Sequence, residues 1–308
     1  MTSRMGLAAL LLTAGASLAP PVFASTFFFT AGDADGQLGA LSGDGPQSVA
    51  TETADDFFLP ATTVISGATI TGLIDAPVTN IGDVEVEVYH VFPLDSKDPP
   101  SGSVFTRVNS PADVEIASAT RDSSAGTLTY SVASLNGRFA VSNSVVNGIH
   151  AFPGSKTGGE GPASGEEIQV TLTFTHPIVL PAGHYFFRPQ VALTGGRFLF
   201  LSAPRPMVSP TPITPDLQAW IRNANLAPDW LRIGGDIVVG APPTFNMAFS
   251  LRGNTIPEAG IPGEETCHDD SVSAVARQFR GVAFGASALG FASVAALQDA
   301  LDEFCNPR

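Results

Sequence analysis

With 308 residues and a formal charge of −14, from 29 acidic and 15 basic side chains, the chain can build one large core plus an appendage. Its charge excludes a nucleic-acid partner, because a phosphate backbone is bound mainly by Lys and Arg. Only 14% of residues are charged, and 31 Gly, 25 Pro and 21 Phe against 3 Tyr and 2 Trp favour short strands and many turns over long surface helices.

The chain opens with Thr2, Ser3 and Arg4, an apolar run from Gly6 to Leu18, and Pro20-Pro21-Val22-Phe23-Ala24. One basic residue, an apolar stretch too short to remain as a span, and small residues ahead of Ser25 predict a signal peptide over residues 1–24 and a secreted, periplasmic or surface protein. From residue 25 to 253 the pattern is strand, turn, strand. Val84, Val86 and Val88 alternate with Glu85, Glu87 and Tyr89, and Ile168, Val170, Leu172 and Phe174 alternate with polar residues, the period of a strand with one buried and one wet face. Further strands are predicted over 26–30, 53–59, 63–74, 127–133, 138–142, 184–193, 197–202 and 245–251. No alternation with long helices appears, so the predicted fold class is all-β, an antiparallel, jelly-roll-like sandwich.

Two stretches break the rhythm. Residues 152–167, around Gly158-Gly159-Glu160-Gly161-Pro162, read as a long polar loop, and the Pro-rich stretch 203–215 leads into a short predicted helix over 216–222. After Gly253, residues 254–266 read as a linker. Beyond them the apolar period becomes helical: Val272, Val275, Ala276 and Phe279 share one face, and Val294, Leu297, Leu301 and Phe304 share another. Asp270 or Ser271 is the predicted cap of the first helix and Ser293 of the last, with breaks at Gly281 and Gly290. Cys267 and Cys305, the sole cysteines, are predicted to pair and close a small helical tail over 267–308. The uncharged stretch 281–298 is mostly Ala, Gly and Ser and ends in acids, so no transmembrane anchor is expected.

Chemistry-bearing residues are few. Asp33-Ala34-Asp35-Gly36 and the Asp55-Asp56 pair are the candidate ligands of a calcium ion, which takes six to eight oxygens. The same Asp-x-Asp-Gly is ordinary turn chemistry. Trp220, Tyr185 and Trp230 are the candidate sugar-stacking rings, with Trp220, on the predicted helix beside Arg222 and Asn223, expected to be the exposed one. Glu160, Glu166, Glu167 and Asp229 are the carboxylates a glycosidase would draw on. No Gly-x-Ser-x-Gly, His-Glu-x-x-His or phosphate loop occurs, and His90, His150, His176, His184 and His268 lack zinc-ligand spacing.

Thr53-Ala54-Asp55-Asp56-Phe57, Leu201-Ser202-Ala203-Pro204-Arg205-Pro206, Trp220-Ile221-Arg222-Asn223 and Pro228-Asp229-Trp230-Leu231-Arg232-Ile233-Gly234 resemble a group of exported bacterial β-sandwich proteins related to PEP-CTERM-sorted proteins. The resemblance implies a sandwich and export, and no particular reaction. Ile256-Pro257-Glu258-Ala259-Gly260 only partly echoes the sorting tripeptide, and the hydrophobic helix and basic cluster that follow it in that pattern are missing. The tail resembles small Ala-rich C-terminal modules of other exported bacterial proteins. Three functions follow from these observations: a non-catalytic protein of the envelope or extracellular matrix binding polysaccharide or a surface protein, a carbohydrate-active hydrolase using loop carboxylates, or a docking protein acting through its tail.

Overall fold

The computed structural model describes residues 26–44, 49–98, 101–147, 149, 156–204, 216–238 and 244–306. The signal-peptide assignment and the Pro-rich stretch 205–215 lie outside them. The chain is an all-β antiparallel sandwich with a small C-terminal helical segment.

One sheet is built around β5 (Thr63–Ile74), which pairs along one edge with β11 (Ala163–Leu180) and through it with β9 (Leu128–Val141). Along the other edge β5 meets β17 (Phe249–Thr255) followed by β1 (Thr26–Thr30), and then β13 (Phe198–Ala203), β2 (Leu38–Leu41) and β10 (Asn143–Val145). The short β16 (Asn246–Met247) joins β13. Gly72 is needed in β5 because a Cβ there would come within 2.0 Å of the Phe198 ring.

The second sheet runs β15 (Leu231–Arg232), β14 (Trp220–Asn223), β4 (Ala50–Leu59), β12 (Gly183–Leu193), β6 (Ile81–Val91) and β7 (Pro111–Glu115), with β3 (Gly43–Asp44) on β4 and β8 (Arg121–Asp122) on β6. Between the sheets, Phe57, Val84, Val86, Val88, Phe187, Phe200 and Phe249 form the main core, with Phe187 stacked on Phe249 at 5.1 Å. Burial of such side chains contributes roughly 2 kcal/mol each and is the main force holding the sheets together.

The predicted wet face of β6 is largely covered. Tyr89 is 1% exposed and joins Ala54, Phe186, Leu217, Trp220 and Trp230 in a second, smaller cluster on the outer face of this sheet. The predicted helix over 216–222 is corrected to an irregular approach, with Gln218 at a positive φ of 57°, and strand β14, whose Ile221 faces the main core while Trp220 faces the outer cluster. A period of two fits 219–222 as well as a helical turn does, and pairing with β4 decides between them. The two strands predicted over 127–142 are one continuous strand, β9.

The last strand runs to Thr255, past the start of the predicted linker, with Asn254 paired to both Val64 and Thr26. Three helices follow, α1 (Cys267–Phe279), α2 (Val282–Ala288) and α3 (Val294–Cys305). Cys267 and Cys305 form the disulfide, with Cα atoms 5.7 Å apart. Val275, Leu297, Leu301 and Phe304 share a core with Val64 and Val179, so the tail is packed onto the sandwich. Ser293 caps α3 by accepting the Ala296 N–H at 3.1 Å. The cap predicted for α1 is corrected: the helix begins after Thr266, Asp269 and Asp270 lie in its first turn, and Ser271 is buried, accepting the Gly260 N–H at 3.0 Å. Acids in that turn are favourably placed against the helix dipole. No helix among the described residues is long and apolar enough to cross a membrane.

Candidate functional site

Each of the three candidate stacking rings is in a core. Trp220 is 1% exposed and donates its indole N–H to the Leu217 carbonyl at 2.9 Å, so its expected exposure is overturned. Trp230 donates to the Ala112 carbonyl at 3.3 Å and meets Tyr89 edge-on at 5.5 Å. Tyr185, on the inner face of β12, stacks on Phe57 at 5.7 Å and donates its hydroxyl to the Pro181 carbonyl. A sugar ring needs an open aromatic face, and these rings present none.

The four candidate calcium ligands do not converge. Asp33 is exposed after β1, and Asp35 there accepts from the Ser202 hydroxyl and the Gln37 N–H, the local chemistry of a turn. Asp55 and Asp56, consecutive on β4, must point to opposite faces of the sheet. Asp55 faces inward and accepts the Met247 N–H at 2.7 Å across the sandwich, whereas Asp56 faces outward and holds His184 Nε2 at 2.5 Å and the Leu217 N–H at 3.1 Å. Burial, reinforced by the Asp56 and Asp216 carboxylates, pushes Asp55 well above the usual carboxylate range. Burial also raises Asp56, against the opposing pull of His184. Among the described residues no three His, Cys, Asp or Glu side chains gather as a metal site.

The loop carboxylates are divided among three places. Glu160 borders a depression of about 240 Å³ with Leu73 and Leu199 in its lining and Asp75, Asn147 and Arg197 around it. Both of its oxygens are occupied by backbone N–H groups, of Val146 and Asn147, at 2.8 Å. Across the depression Asp75 accepts from the Arg197 backbone N–H and guanidinium at 2.6 and 2.8 Å. Glu166 and Glu167 lie on β11, and Asp229 is fully buried against Arg107.

The densest polar site is one that sequence reasoning did not single out. On the outer face of the second sheet, Arg188 of β12 lies 3.1 Å from Glu52, 3.2 Å from Glu87 and 3.5 Å from Glu85. The contact with Glu52 is a hydrogen bond, whereas Arg188 Nε and Nη1 reach their carboxylates at ion-pair distance without hydrogen-bond alignment. Arg222 of β14 bonds Glu52 from the other side, donates to Tyr89 Oη at 3.0 Å, and stacks on Trp230 with its carbon 4.2 Å from the ring centroid. Tyr89 Oη donates to Glu87 Oε2 at 2.5 Å. The sequence carried one hint: Arg188 interrupts the apolar run of β12 directly after Phe186 and Phe187, and a charge in a central strand requires a partner.

The two inner glutamates diverge in acidity. Burial works to raise Glu52, but the charges and hydrogen bonds of Arg188 and Arg222 overcome it and hold the group below its usual value. Burial dominates at Glu87 and lifts it from 4.5 to about 7 against the pull of Arg188 and the Tyr89 hydrogen bond. Folded Glu87 therefore keeps its proton where the unfolded chain releases it. Its contribution is complete below about pH 4.5 and is lost as pH rises through 7, up to about 3 kcal/mol in all. Glu87→Gln is expected to flatten that decline in urea-melt stability between pH 4.5 and 7.5, and an unchanged slope would place the proton elsewhere.

With this geometry in hand, comparison with known proteins adds no identity: no family model, no curated protein and no solved structure matches the chain.

Proposed function

We propose that the protein is an exported, non-catalytic β-sandwich of the envelope or extracellular matrix, related to PEP-CTERM-sorted proteins, whose partner is another protein joined by strand addition at β9. The observation that carries this reading is the open edge of β9. The strand spans 14 residues and pairs with β11 on one side. Between Thr129 and Ala140 no other backbone partner occurs among the described residues, although the Arg138 N–H is taken up by the Asn136 side chain. From Leu128 to Ser134 the register against β11 is regular, and irregularities begin only beyond Ser134.

Edges of this kind are normally blunted by Lys, Pro or inward charge. Here β9 has no Pro, Lys, Asp or Glu, carries Arg138 as its one charge, and exposes Leu135 by 52%. In strand addition, main-chain hydrogen bonds supply affinity and alternate side chains supply specificity. Protein contact is favoured over glycan contact because all three candidate stacking rings are buried. Of the carboxylates the hydrolase alternative would draw on, Glu160 is committed to backbone N–H groups and Asp229 to Arg107.

A photo-crosslinking residue placed at Ser131 in the producing cells tests the reading. A discrete protein adduct outside the cytoplasm, lost when Ala133→Lys blunts the edge, is the expected result. An adduct that survives Ala133→Lys, or no adduct, would overturn it.

A further inference from the structure

We propose that β9 pairs with the β9 of a second copy of this chain, antiparallel and about a two-fold axis through Ser131. This rests on the reading of β9 as an open edge and names the protein that joins it. A two-fold contact presents the same patch on both molecules, so the patch must complement itself.

The stretch of β9 that keeps a regular register against β11 runs from Leu128 to Ser134, and its midpoint is Ser131. Turned about that residue, the stretch pairs with itself along its whole length. Tyr130 then lies opposite Val132 of the second copy, and Val132 opposite Tyr130. Both side chains are half-buried and pack against the main core, with Tyr130 Oη reaching the Ile81 carbonyl at 3.4 Å. They form the open margin of the sandwich, and an aromatic ring beside a β-branched side chain is a favourable cross-strand pair. On the other face Ser131 meets its own copy and Thr129 meets Ala133, small or hydroxylated residues that sit side by side without a clash of size or charge.

Charge favours a second copy as the occupant. The net charge of −14 opposes self-association in general, but β9 holds no acid and its single charge is Arg138. In this register Arg138 extends beyond Leu128 of the second copy, toward the turn that precedes that strand. The turn is acidic: Asp83 accepts from the Ser123 hydroxyl and the Ser124 N–H, and Asp122 accepts the Ser124 and Ala125 N–H groups at 2.6 and 3.3 Å. Each copy thus offers a cation to carboxylates of the other, and the symmetry repeats the contact.

The purified chain is followed by sedimentation equilibrium up to about millimolar concentration, and by single cysteine substitutions under mild oxidation. The native pair, Cys267 and Cys305, is buried in its own disulfide and does not interfere. A reversible dimer is expected, because a strand edge is smaller than a standard stable interface. Ser131→Cys is expected to close a disulfide across the axis, where paired Cα atoms are about 5 Å apart. Thr129→Cys is not, since its two copies stand roughly 13 Å apart. Ala133→Lys and Arg138→Glu are each expected to weaken the dimer by about tenfold or more. A monomer at every concentration, a dimer indifferent to Ala133→Lys or to Arg138→Glu, or Thr129→Cys linking as readily as Ser131→Cys would overturn the inference. If the chain is monomeric and the crosslinker at Ser131 in cells still captures a protein of another mass, lost with Ala133→Lys, the pairing of copies fails and the open-edge reading stands. If no adduct forms either, both fail.

Discussion

Replacing Arg107 by alanine is expected to destabilise the protein by about 3 to 5 kcal/mol, read as a drop in the urea midpoint at unchanged slope. Arg107 is 4% exposed and joins two segments distant in sequence: Nη2 reaches Asp113 at 2.5 Å and Nη1 reaches Asp229 at 2.8 Å. Its Nε is 3.3 Å from the Ser110 hydroxyl, and its guanidinium carbon sits 4.6 Å from the Phe92 ring centroid. Asp229 takes a further bond from the Ser101 hydroxyl. Truncating the arginine leaves two carboxylates buried with their desolvation unrelieved, which is why breaking such a pair costs far more than its net worth. Replacing all three together, Arg107→Met with Asp113→Asn and Asp229→Asn, is therefore expected to cost less than Arg107→Ala alone. If the single variant loses under 1 kcal/mol, water has reached the carboxylates and the pair does not pin these loops.

Trp230→Ala is expected to cost a similar 3 to 5 kcal/mol, the range for emptying a buried aromatic site. The indole is 0% exposed, meets Tyr89 edge-on, and covers the guanidinium of Arg222. Its loss opens a cavity in the outer cluster, leaves the Ala112 carbonyl without its donor, and removes a cation–π contact worth about 1 kcal/mol or more when desolvated. Trp230→Phe keeps a ring under Arg222 and is expected to recover a good part of the loss. The two variants also separate a core role from a ligand role, since a sugar-stacking tryptophan removed from the surface would leave the thermal midpoint nearly unchanged.

Where strands alternate cleanly the sequence was enough. Val84, Val86 and Val88 face the core as their period requires, and β1 and β5 run over the predicted residues. The helical tail was equally legible, because its period changes from two to about 3.6 and its two cysteines close it. The outer face of the second sheet was not. Glu85, Glu87 and Tyr89 look like a solvated face in one dimension, but β14 joins that sheet, and Leu217, Trp220 and Trp230 on and beside it turn the face into a second cluster with buried ion pairs. For the same reason the tryptophans looked available in sequence: whether an aromatic is exposed depends on what covers it, and here the covering segment comes from far along the chain.

The acidic residues mark the same boundary. That Asp55 and Asp56 lie on one strand, and so on opposite faces, follows from local chemistry. That Asp55 then meets Met247 while Asp56 meets His184 and Leu217 depends on sheet packing and long-range pairing. By itself the sequence determined the all-β class, the strand faces and the helical tail, because these follow from short-range periodicity and backbone sterics. Which polar groups are buried, which carboxylates are neutralised by which arginines, and which strand edge is left open were decided only by the tertiary structure, since they depend on how segments distant in sequence come together, as Arg107 and Asp229 do.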